Sequence, residues 1–317
     1  MSGFAYKVGD TIEKIDIHHA LDAECALVWV HLSTNDTRAQ TWLTERAQLD
    51  SYIVDALTAT ETRPRCDPFR DGALINLRGR TSDDTPGTDL LASVRMWVVD
   101  GRVISVSRKA LTAIPLVQEK VEKGLVKDPG DLIAAIAGGI TEDLDPEVAD
   151  LGDLLDDCEA EMDAEKVFEL RRMVTKVRIS AIAYRRFLSP QRAAIEKLAA
   201  LPVDWLQDDD RLHLASAGDR AARMAEELES IRERAALTHE ALTDLRAEQI
   251  DSRSLLISVA AMVFLPITFI TGLYGMNVDG LPYQHAPWAF DAICAVCAAI
   301  TAGVVIYFVQ RHWFAGR

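Results

Sequence analysis

Two long uncharged runs near the C-terminal end constrain the fold of this chain more than any other feature. Ser254–Leu273 is a run of 20 residues and Ala292–Val309 is a run of 18, and neither contains Asp, Glu, Lys, Arg or His. As a helix, the first run would extend about 30 Å at 1.5 Å per residue, which matches the thickness of a bilayer core. A soluble helix rarely stays apolar on every side over such a length. We therefore predict two transmembrane helices, at residues 254–273 and 292–310.

The rest of the sequence is acidic and polar. The 317 residues include 34 Lys and Arg against 49 Asp and Glu, which gives a formal net charge of −15. Residues 254–317 contain only two charges of each sign, so the first 253 residues carry the whole excess. Nucleic-acid and polyphosphate ligands require a basic surface, and the net charge therefore argues against both.

Arginines flank the predicted hairpin on one side only. Arg246 and Arg253 precede the first run and Arg311 follows the second, whereas residues 274–291 contain no Lys or Arg. The positive-inside rule then places both termini in the cytoplasm and residues 274–291 outside. The N-terminal residues do not resemble a signal peptide. We expect a multi-pass protein of the cell (inner) membrane, with a large cytoplasmic N-terminal part and a cytoplasmic tail at residues 311–317.

The cytoplasmic part is expected to divide into an α/β domain, residues 1–127, and a helical stalk, residues 128–253. The domain has runs typical of strands and of helices. The predicted strands are Ala26–Leu32, Ala73–Leu77, Ser93–Val99 and Arg102–Ser107, and the predicted helices are Asp36–Leu49 and Ser51–Thr60. Asp100-Gly101 predicts a tight hairpin turn between the last two strands.

Proline positions suggest where the stalk helices begin and end. Asp145-Pro146 is typical of a helix start, and Ser189-Pro190 of a helix end. No proline occurs between Pro202 and Pro266, so we expect the last stalk helix to continue directly into the first membrane span. The fold class is thus an α+β cytoplasmic domain with a long helical stalk and two C-terminal transmembrane helices.

An apolar seam follows the last stalk helix. Its members alternate in steps of three and four, as in a coiled coil. They are Ala221, Met224, Leu228, Ile231, Ala235, Thr238, Leu242 and Leu245. An exposed stripe of this length would be a liability for a monomer, so the seam favours assembly of several copies.

A short motif directly after the first predicted span resembles a known family. Tyr274-Gly275-Met276-Asn277 places Gly-Met-Asn between two C-terminal spans, an arrangement similar to that of the CorA superfamily of divalent-cation transporters. The resemblance extends to the order of head, stalk and hairpin. It implies a homopentameric funnel in which the first span lines the pore and Gly275, Met276 and Asn277 form the selectivity filter. Five Asn277 amides would hold the metal ion through its hydration shell, since ions such as Mg²⁺ lose water reluctantly.

The loop after the motif distinguishes branches of the superfamily. Residues 278–290 lack the Glu that is typical of the magnesium branch, and Asn-Val-x-Gly-Leu-Pro with a later Trp-Ala-Phe resembles the ZntB-like zinc transporter branch. Asp279 departs from that branch, where Gly is expected. Asp279 and His285 are candidate residues for attracting cations at the outer mouth, although a lone histidine is more often a surface residue.

One face of the first span is the candidate pore lining. Five residues fall on that face at spacings of three and four: Ser254, Ile257, Ala261, Leu265 and Thr268. Thr268 is expected to contact hydrating water, and Ile257 and Leu265 to form hydrophobic gates. Ordinary helix packing is the alternative interpretation of the same pattern.

Other constellations are weaker. Cys294 and Cys297 are interpreted as packing residues of a membrane helix, and the acidic clusters Asp153–Glu161 and Asp208–Asp210 as solvated helix faces, with regulatory cation binding as the alternative. No nucleophile–base pair and no Walker loop occurs, so we expect neither an enzyme nor ATP-driven transport.

The leading hypothesis is a transporter of Zn²⁺, with proton-coupled uptake as one option and no cofactor besides the transported ion. Its expected partners are further copies of the chain, the lipid bilayer and divalent cations, and not nucleic acid. The alternatives are a CorA-type Mg²⁺/Co²⁺ channel and a membrane-anchored cation sensor or scaffold.

Overall fold

The computed structural model describes residues 2–22, 25–34, 37–60, 63–82, 91–276, 281–283 and 286–310. The chain forms two compact units. The first consists of residues 1–162 and 168–239, and the second of residues 163–167 and 240–317.

A seven-stranded mixed sheet is the centre of the first unit. In chain order its strands are β1 Gly3–Val8, β2 Ile12–Ile15, β3 Leu27–Ser33, β4 Arg65–Phe69, β5 Gly72–Arg80, β6 Leu91–Val99 and β7 Arg102–Ser107. Their spatial order is β2-β1-β3-β7-β6-β5-β4. All neighbours are antiparallel except β3 and β7, which pair in parallel with Val30 opposite Ile104.

The sheet contains more strands than the sequence predicts. The four predicted strands correspond to β3, β5, β6 and β7, and the Asp100-Gly101 hairpin is present with Gly101 at φ +68°. Strands β1, β2 and β4 were not predicted. Strands β2 and β4 are the two edges of the sheet, where charged residues and even Pro68 are tolerated because one side of the strand needs no partner, and β1 is next to the β2 edge.

Short helices cover one face of the sheet. They are α1 Thr37–Thr41, a π-helical turn Trp42–Arg46, and α2 Ser51–Thr58. Asp50 caps α2 by accepting a hydrogen bond from the Tyr52 backbone N–H at 3.0 Å. Leu57 of α2 packs into a core that also contains Val30, Trp97 and Ile104.

The opposite face of the sheet packs against α3 Ala113–Glu122 and α4 Pro129–Ala160. The Tyr6 hydroxyl of β1 donates a 2.6 Å hydrogen bond to Glu122 of α3. A Cβ on Gly79 of β5 would lie only 3.0 Å from the Ile140 side chain of α4. Gly79 therefore allows the close approach of α4 to the sheet.

Two helix boundaries expected from proline are wrong. Helix α4 starts at Pro129, not at Pro146, and α5 runs from Val167 to Ala199 through Pro190. A proline in a helix removes one hydrogen bond. The flanking residues Leu144 and Val148 are buried, and we attribute the continuity of α4 to this packing, which offsets the lost bond.

Helix α6 spans Asp208–Tyr274, 67 residues without a break, and α7 spans Ala289–Gln310. The stalk helix and the first predicted membrane run thus form one helix, as the lack of a linker indicates.

The apolar seam of α6 does not point outward, and the argument that it favours assembly is wrong. Ala221, Met224 and Leu228 are buried within the single chain. Ile231 faces Gly152 of α4, whose Cβ would lie 3.7 Å from the Ile231 Cδ1 atom. From Ala221 to Thr238 the seam is therefore part of the core of the first unit. A periodic apolar stripe shows that a helix face is buried, and it does not show which helix buries it.

Candidate functional site

Two helices of the chain are long and apolar enough to cross a membrane. They are α6, through its C-terminal part, and α7. The uncharged run that begins at Ser254 ends one residue before the end of α6. This agrees with the membrane hairpin predicted from the sequence.

Side chains of the membrane part of α6 differ in exposure from one helix face to another. The partly covered residues recur at helical spacing: Leu255, Val259, Val263, Pro266, Ile267, Ile270, Leu273 and Tyr274. On α7 the less exposed residues also recur at this spacing: Ala292, Ile293, Cys297, Ile300, Thr301, Val304 and Phe308. Each helix therefore has one face that is shielded within the chain and another that is not.

The five candidate pore residues all lie on the unshielded face of α6. Ser254, Ile257, Ala261, Leu265 and Thr268 are exposed, and Ile257 and Leu265 reach 71% and 75% exposure. The structure therefore places these residues on one uncharged face of α6 that no described part of the chain covers. Their role as a pore lining stays a prediction.

The two threonines near the end of α6 differ in their hydrogen bonding. The Thr271 hydroxyl donates within its own helix, with the Ile267 carbonyl at 3.0 Å and the Thr268 carbonyl at 3.2 Å. Among the described residues, the Thr268 hydroxyl has no such partner. Thr268 is thus available to bind water, whereas Thr271 is committed to the helix backbone.

The Gly-Met-Asn motif begins where α6 ends. The Gly275 N–H donates to the Thr271 carbonyl at 2.9 Å, and the Met276 N–H to the Leu273 carbonyl at 3.4 Å. These bonds continue the helical pattern to the edge of the motif, so Gly275 and Met276 are held by α6. Asn277, Asp279 and His285 lie outside the described residues, and their proposed roles stay predictions.

The described part of the loop between α6 and α7 returns to α6. The Tyr274 hydroxyl donates to the Pro282 carbonyl at 3.3 Å, and the rings of Tyr283 and Trp288 lie 5.3 Å apart. An aromatic cluster of this kind is typical of residues at a membrane–water interface.

A second candidate site lies in the first unit, where three carboxylates meet. Asp128, Asp131 and Asp210 each offer an oxygen, and these three atoms lie within 4.8 Å of one another. They stand at two helix starts. Asp128 caps α4 by accepting from the Asp131 N–H at 2.9 Å, and Asp210 accepts from the Gln207 N–H at the start of α6 at 2.8 Å.

Asp210 is a buried residue, and the expectation of a solvated face at Asp208–Asp210 is wrong for this position. Its side chain is 2% exposed, because the first turn of α4 packs directly on it. A Cβ at Gly130 would clash with the Asp210 carboxylate, so only glycine permits this approach. Burial, followed by the neighbouring Asp128 and Asp131, raises the pKa of Asp210 from its ordinary value of 3.8 to about 6.

The other acidic cluster is arranged differently. Asp156 and Glu159 of α4 both form ion pairs with Arg234 of α6, and Glu159 accepts from the guanidinium at 2.5 Å. Glu159 also accepts from the Thr238 hydroxyl at 3.0 Å. This cluster joins two helices of one chain.

The three-carboxylate group was not predicted from the sequence, because Asp210 lies some 80 positions after Asp128 and Asp131. The close spacing of Asp128 and Asp131 before an apolar run was the only signal in the sequence.

The fold is that of a membrane transport protein, with a sheet-containing unit, a continuous helix α6 and two apolar helices. Similarity to known proteins identifies the family. A family model described as CorA-like Mg²⁺ transporter protein matches residues 24–311. The chain therefore belongs to this family of divalent-cation transporters.

Individual relatives cover almost the whole chain. A zinc transport protein ZntB from Pectobacterium carotovorum is 29% identical over 286 residues, which are 90% of this chain and 87% of the relative. The full-length CmaX protein is 27% identical, with a TM-score of 0.78 and coverage of 99% and 98%. The CorA magnesium transporter from Methanocaldococcus jannaschii shares the fold at 16% identity, with a TM-score of 0.81 and coverage of 98% of both chains.

Proposed function

We propose that this chain transports Zn²⁺ across the cell (inner) membrane through a pore lined by α6 in a homopentamer. The observation that carries the proposal is the uncharged face from Ser254 to Thr268, which is exposed along a membrane-spanning helix while the other face is shielded. In an assembly of several copies around a common axis, this face would line a water-filled pore. The curated relatives named as zinc transport proteins support the choice of ion.

The chemistry of the lining suits a hydrated cation. A hydrated ion entering from outside would first meet the Asn277 amides, which are neutral and hold it through water without trapping it. Thr268 would then exchange hydrogen bonds with the hydration shell. The exposed aliphatic side chains of Leu265 and Ile257 would close the path by excluding water when the pore narrows.

The charge distribution favours cations at the inner end. The formal charge of −15 lies almost entirely before residue 254, and with both termini in the cytoplasm it would lie on the cytoplasmic side. A negative potential there raises the local concentration of cations. In this proposal the metal ion is cargo, and the protein holds no resident cofactor.

A Mg²⁺ or Co²⁺ channel is the second candidate function, and the description of the matched family favours it. The two functions differ in ion preference and in their response to protons. A proton-coupled zinc carrier would transport faster when the proton gradient is directed inward, whereas a channel would respond only to the electrochemical gradient of the ion.

Flux into liposomes tests the proposal. Purified protein is reconstituted with an entrapped zinc-sensitive or magnesium-sensitive dye, with and without an inward proton gradient. We expect zinc influx. Magnesium flux without zinc flux would favour the channel, and no flux of either ion would leave only a scaffold or sensor.

Matched variants test the lining itself. Thr268→Val keeps the side-chain volume but removes a hydroxyl that is free to bind water, and it should lower zinc influx several-fold. Thr271→Val is the control, because its hydroxyl is bonded to the helix backbone. Asn277→Ala should lower influx with the oligomer intact. Equal influx for both threonine variants would argue against the proposed face, and unchanged influx for Asn277→Ala would remove Asn277 from the filter.

A further inference from the structure

A basic cavity of about 250 Å³ lies on the sheet face that carries α2, beyond the end of that helix. Its polar lining comes from two strands and the segments that follow α2 and β7: Thr60, Arg78, Ser93, Arg95, Arg108 and Lys109. No Asp or Glu occurs in the part of the lining that the structure describes. The net charge of −15 does not predict this site, because the basic side chains of the lining are grouped together although the chain as a whole is acidic.

Arg95 is the central group of this cavity. It lies in the middle of β6, opposite Asn76 of β5 and Val106 of β7, and is only 4% exposed. Its Nε and Nη1 atoms are buried and have no hydrogen-bond partner among the residues that the structure describes. A buried guanidinium with unused donors is costly unless an anion satisfies it.

Ser93, two residues before Arg95 on the same face of β6, has the same property. It is 7% exposed, and within the described part of the chain its buried hydroxyl has no partner either. Two side chains from one strand therefore offer unused hydrogen-bond donors to the same cavity.

Arg78 is held in place beside them. It lies opposite Ser93 in the β5–β6 ladder, and its Nη2 atom donates to the Leu91 carbonyl at 3.0 Å. Its guanidinium carbon lies 3.9 Å from the centre of the Phe187 ring of α5, and its backbone N–H donates to Gln191 of α5 at 2.7 Å. These contacts fix the guanidinium before any ligand arrives.

The local electrostatics support an anion. Burial lowers the pKa of Arg95, and the nearby Arg108, Arg65 and Arg78 lower it further. Three neighbouring arginines therefore disfavour the charge of Arg95, and an anion in the cavity would offset this repulsion.

We propose that this cavity binds a phosphate group, either as inorganic phosphate or as a small phosphomonoester. Guanidinium groups match the oxygen geometry of phosphate and bind it through paired hydrogen bonds. The Ser93 hydroxyl adds a further hydrogen-bond donor to the cavity. The volume exceeds that of a single phosphate ion and is somewhat smaller than the 300 Å³ or so of a typical drug-binding pocket, so a small organic group fits beside the phosphate. The site does not depend on which ion the membrane part transports.

Binding to the full-length protein in detergent tests the proposal. The buffer contains a chelator and neither chloride nor phosphate, so that metal-bound phosphate does not contribute. Inorganic phosphate and glycerol 3-phosphate are titrated by calorimetry. We expect one saturable site per chain for at least one of them, and Arg95→Met should weaken the binding at least tenfold.

Two further variants make the result specific. Arg102→Met removes an arginine from the far end of β7, outside the cavity lining, and should bind like the wild type. Ser93→Ala should weaken binding by about three- to tenfold. In anion-free buffer Arg95→Met should melt at the same temperature as the wild type or higher, because it removes an unpaired buried charge.

Several outcomes would overturn the proposal. They are the absence of saturable binding of both probes, equal binding by Arg95→Met and the wild type, and displacement of phosphate by an equal concentration of chloride. If Arg95→Met does not fold, the guanidinium has a structural role, and unchanged phosphate binding by Ser93→Ala then rejects the site.

Discussion

Replacing Asp210 by asparagine should make the first unit more stable at neutral pH. The buried Asp210 carboxyl lies beside Asp128 and Asp131, and its pKa is raised to about 6 from an ordinary 3.8. Because the folded protein holds this proton more tightly than the unfolded chain, the stability it provides is complete below pH 3.8. That stability is lost as the pH rises through about 6. Asparagine keeps the shape and the acceptor for the Gln207 N–H but carries no charge.

The magnitude follows from the pKa shift. A shift of roughly two units, at about 1.36 kcal/mol per unit, corresponds to about 3 kcal/mol. For a unit of this size, 1 kcal/mol changes the melting temperature by about 2–4 °C. In metal-free buffer at pH 8, Asp210→Asn should therefore melt about 6–12 °C above the wild type, and the difference should disappear near pH 4.

Melting curves followed by tryptophan fluorescence provide the assay, since the buried Trp205 lies beside this site. Asp209→Asn is the matched control, because Asp209 is in the same helical turn with a side chain that is 80% exposed. A constant difference between Asp210→Asn and the wild type from pH 4 to pH 8 would refute the reasoning. So would an equal shift for the control.

Two further predictions concern the core of the same unit. Ile231→Ala should lower the free energy of unfolding by about 2–5 kcal/mol in urea denaturation, because Ile231 packs inside one chain. The exposed Leu237→Ala is its control, and an equal loss of stability for both variants would contradict this packing. His31 is buried, its ring nitrogens lie 2.8 Å and 3.2 Å from the Ser105 and Ser107 hydroxyls, and burial lowers its pKa to about 4. The neutral ring should therefore contribute about 3 kcal/mol above pH 6.5 that is lost as the pH falls towards 4, and an NMR titration in which His31 gains a proton above pH 6 would contradict this.

The features that depend on local composition could be predicted from the sequence. The uncharged runs predicted both membrane helices, and the apolar strands β3, β5, β6 and β7 were recognisable because burial on both faces requires continuous apolar residues. The edge strands β2 and β4, and β1 next to the β2 edge, lacked this signal. Proline predicted a helix start at Pro146 and a helix end at Pro190, and tertiary packing overrides both.

Features that depend on distant parts of the chain could not be predicted in this way. The seam around Ile231 was recognised as apolar, but its partner is a helix some 80 residues earlier in the chain. The same holds for Asp210, which meets Asp128 and Asp131 only after α4 and α6 start side by side. Arg95 is a further example, since its strand reads as an ordinary β-run and its unused donors become visible only once the neighbouring strands are in place.

The single parallel pair in the sheet has a consequence for the order of folding. β4 to β7 form a meander of sequence neighbours, whereas β3 joins it only by pairing with β7, about 75 residues further along the chain. Loops of that length close slowly compared with hairpins. The meander is thus expected to form first, and strands β1 to β3 to dock last. Until they dock, β3 and β7 each present an unpaired edge, and the folding chain is most vulnerable to wrong strand pairing at these two edges.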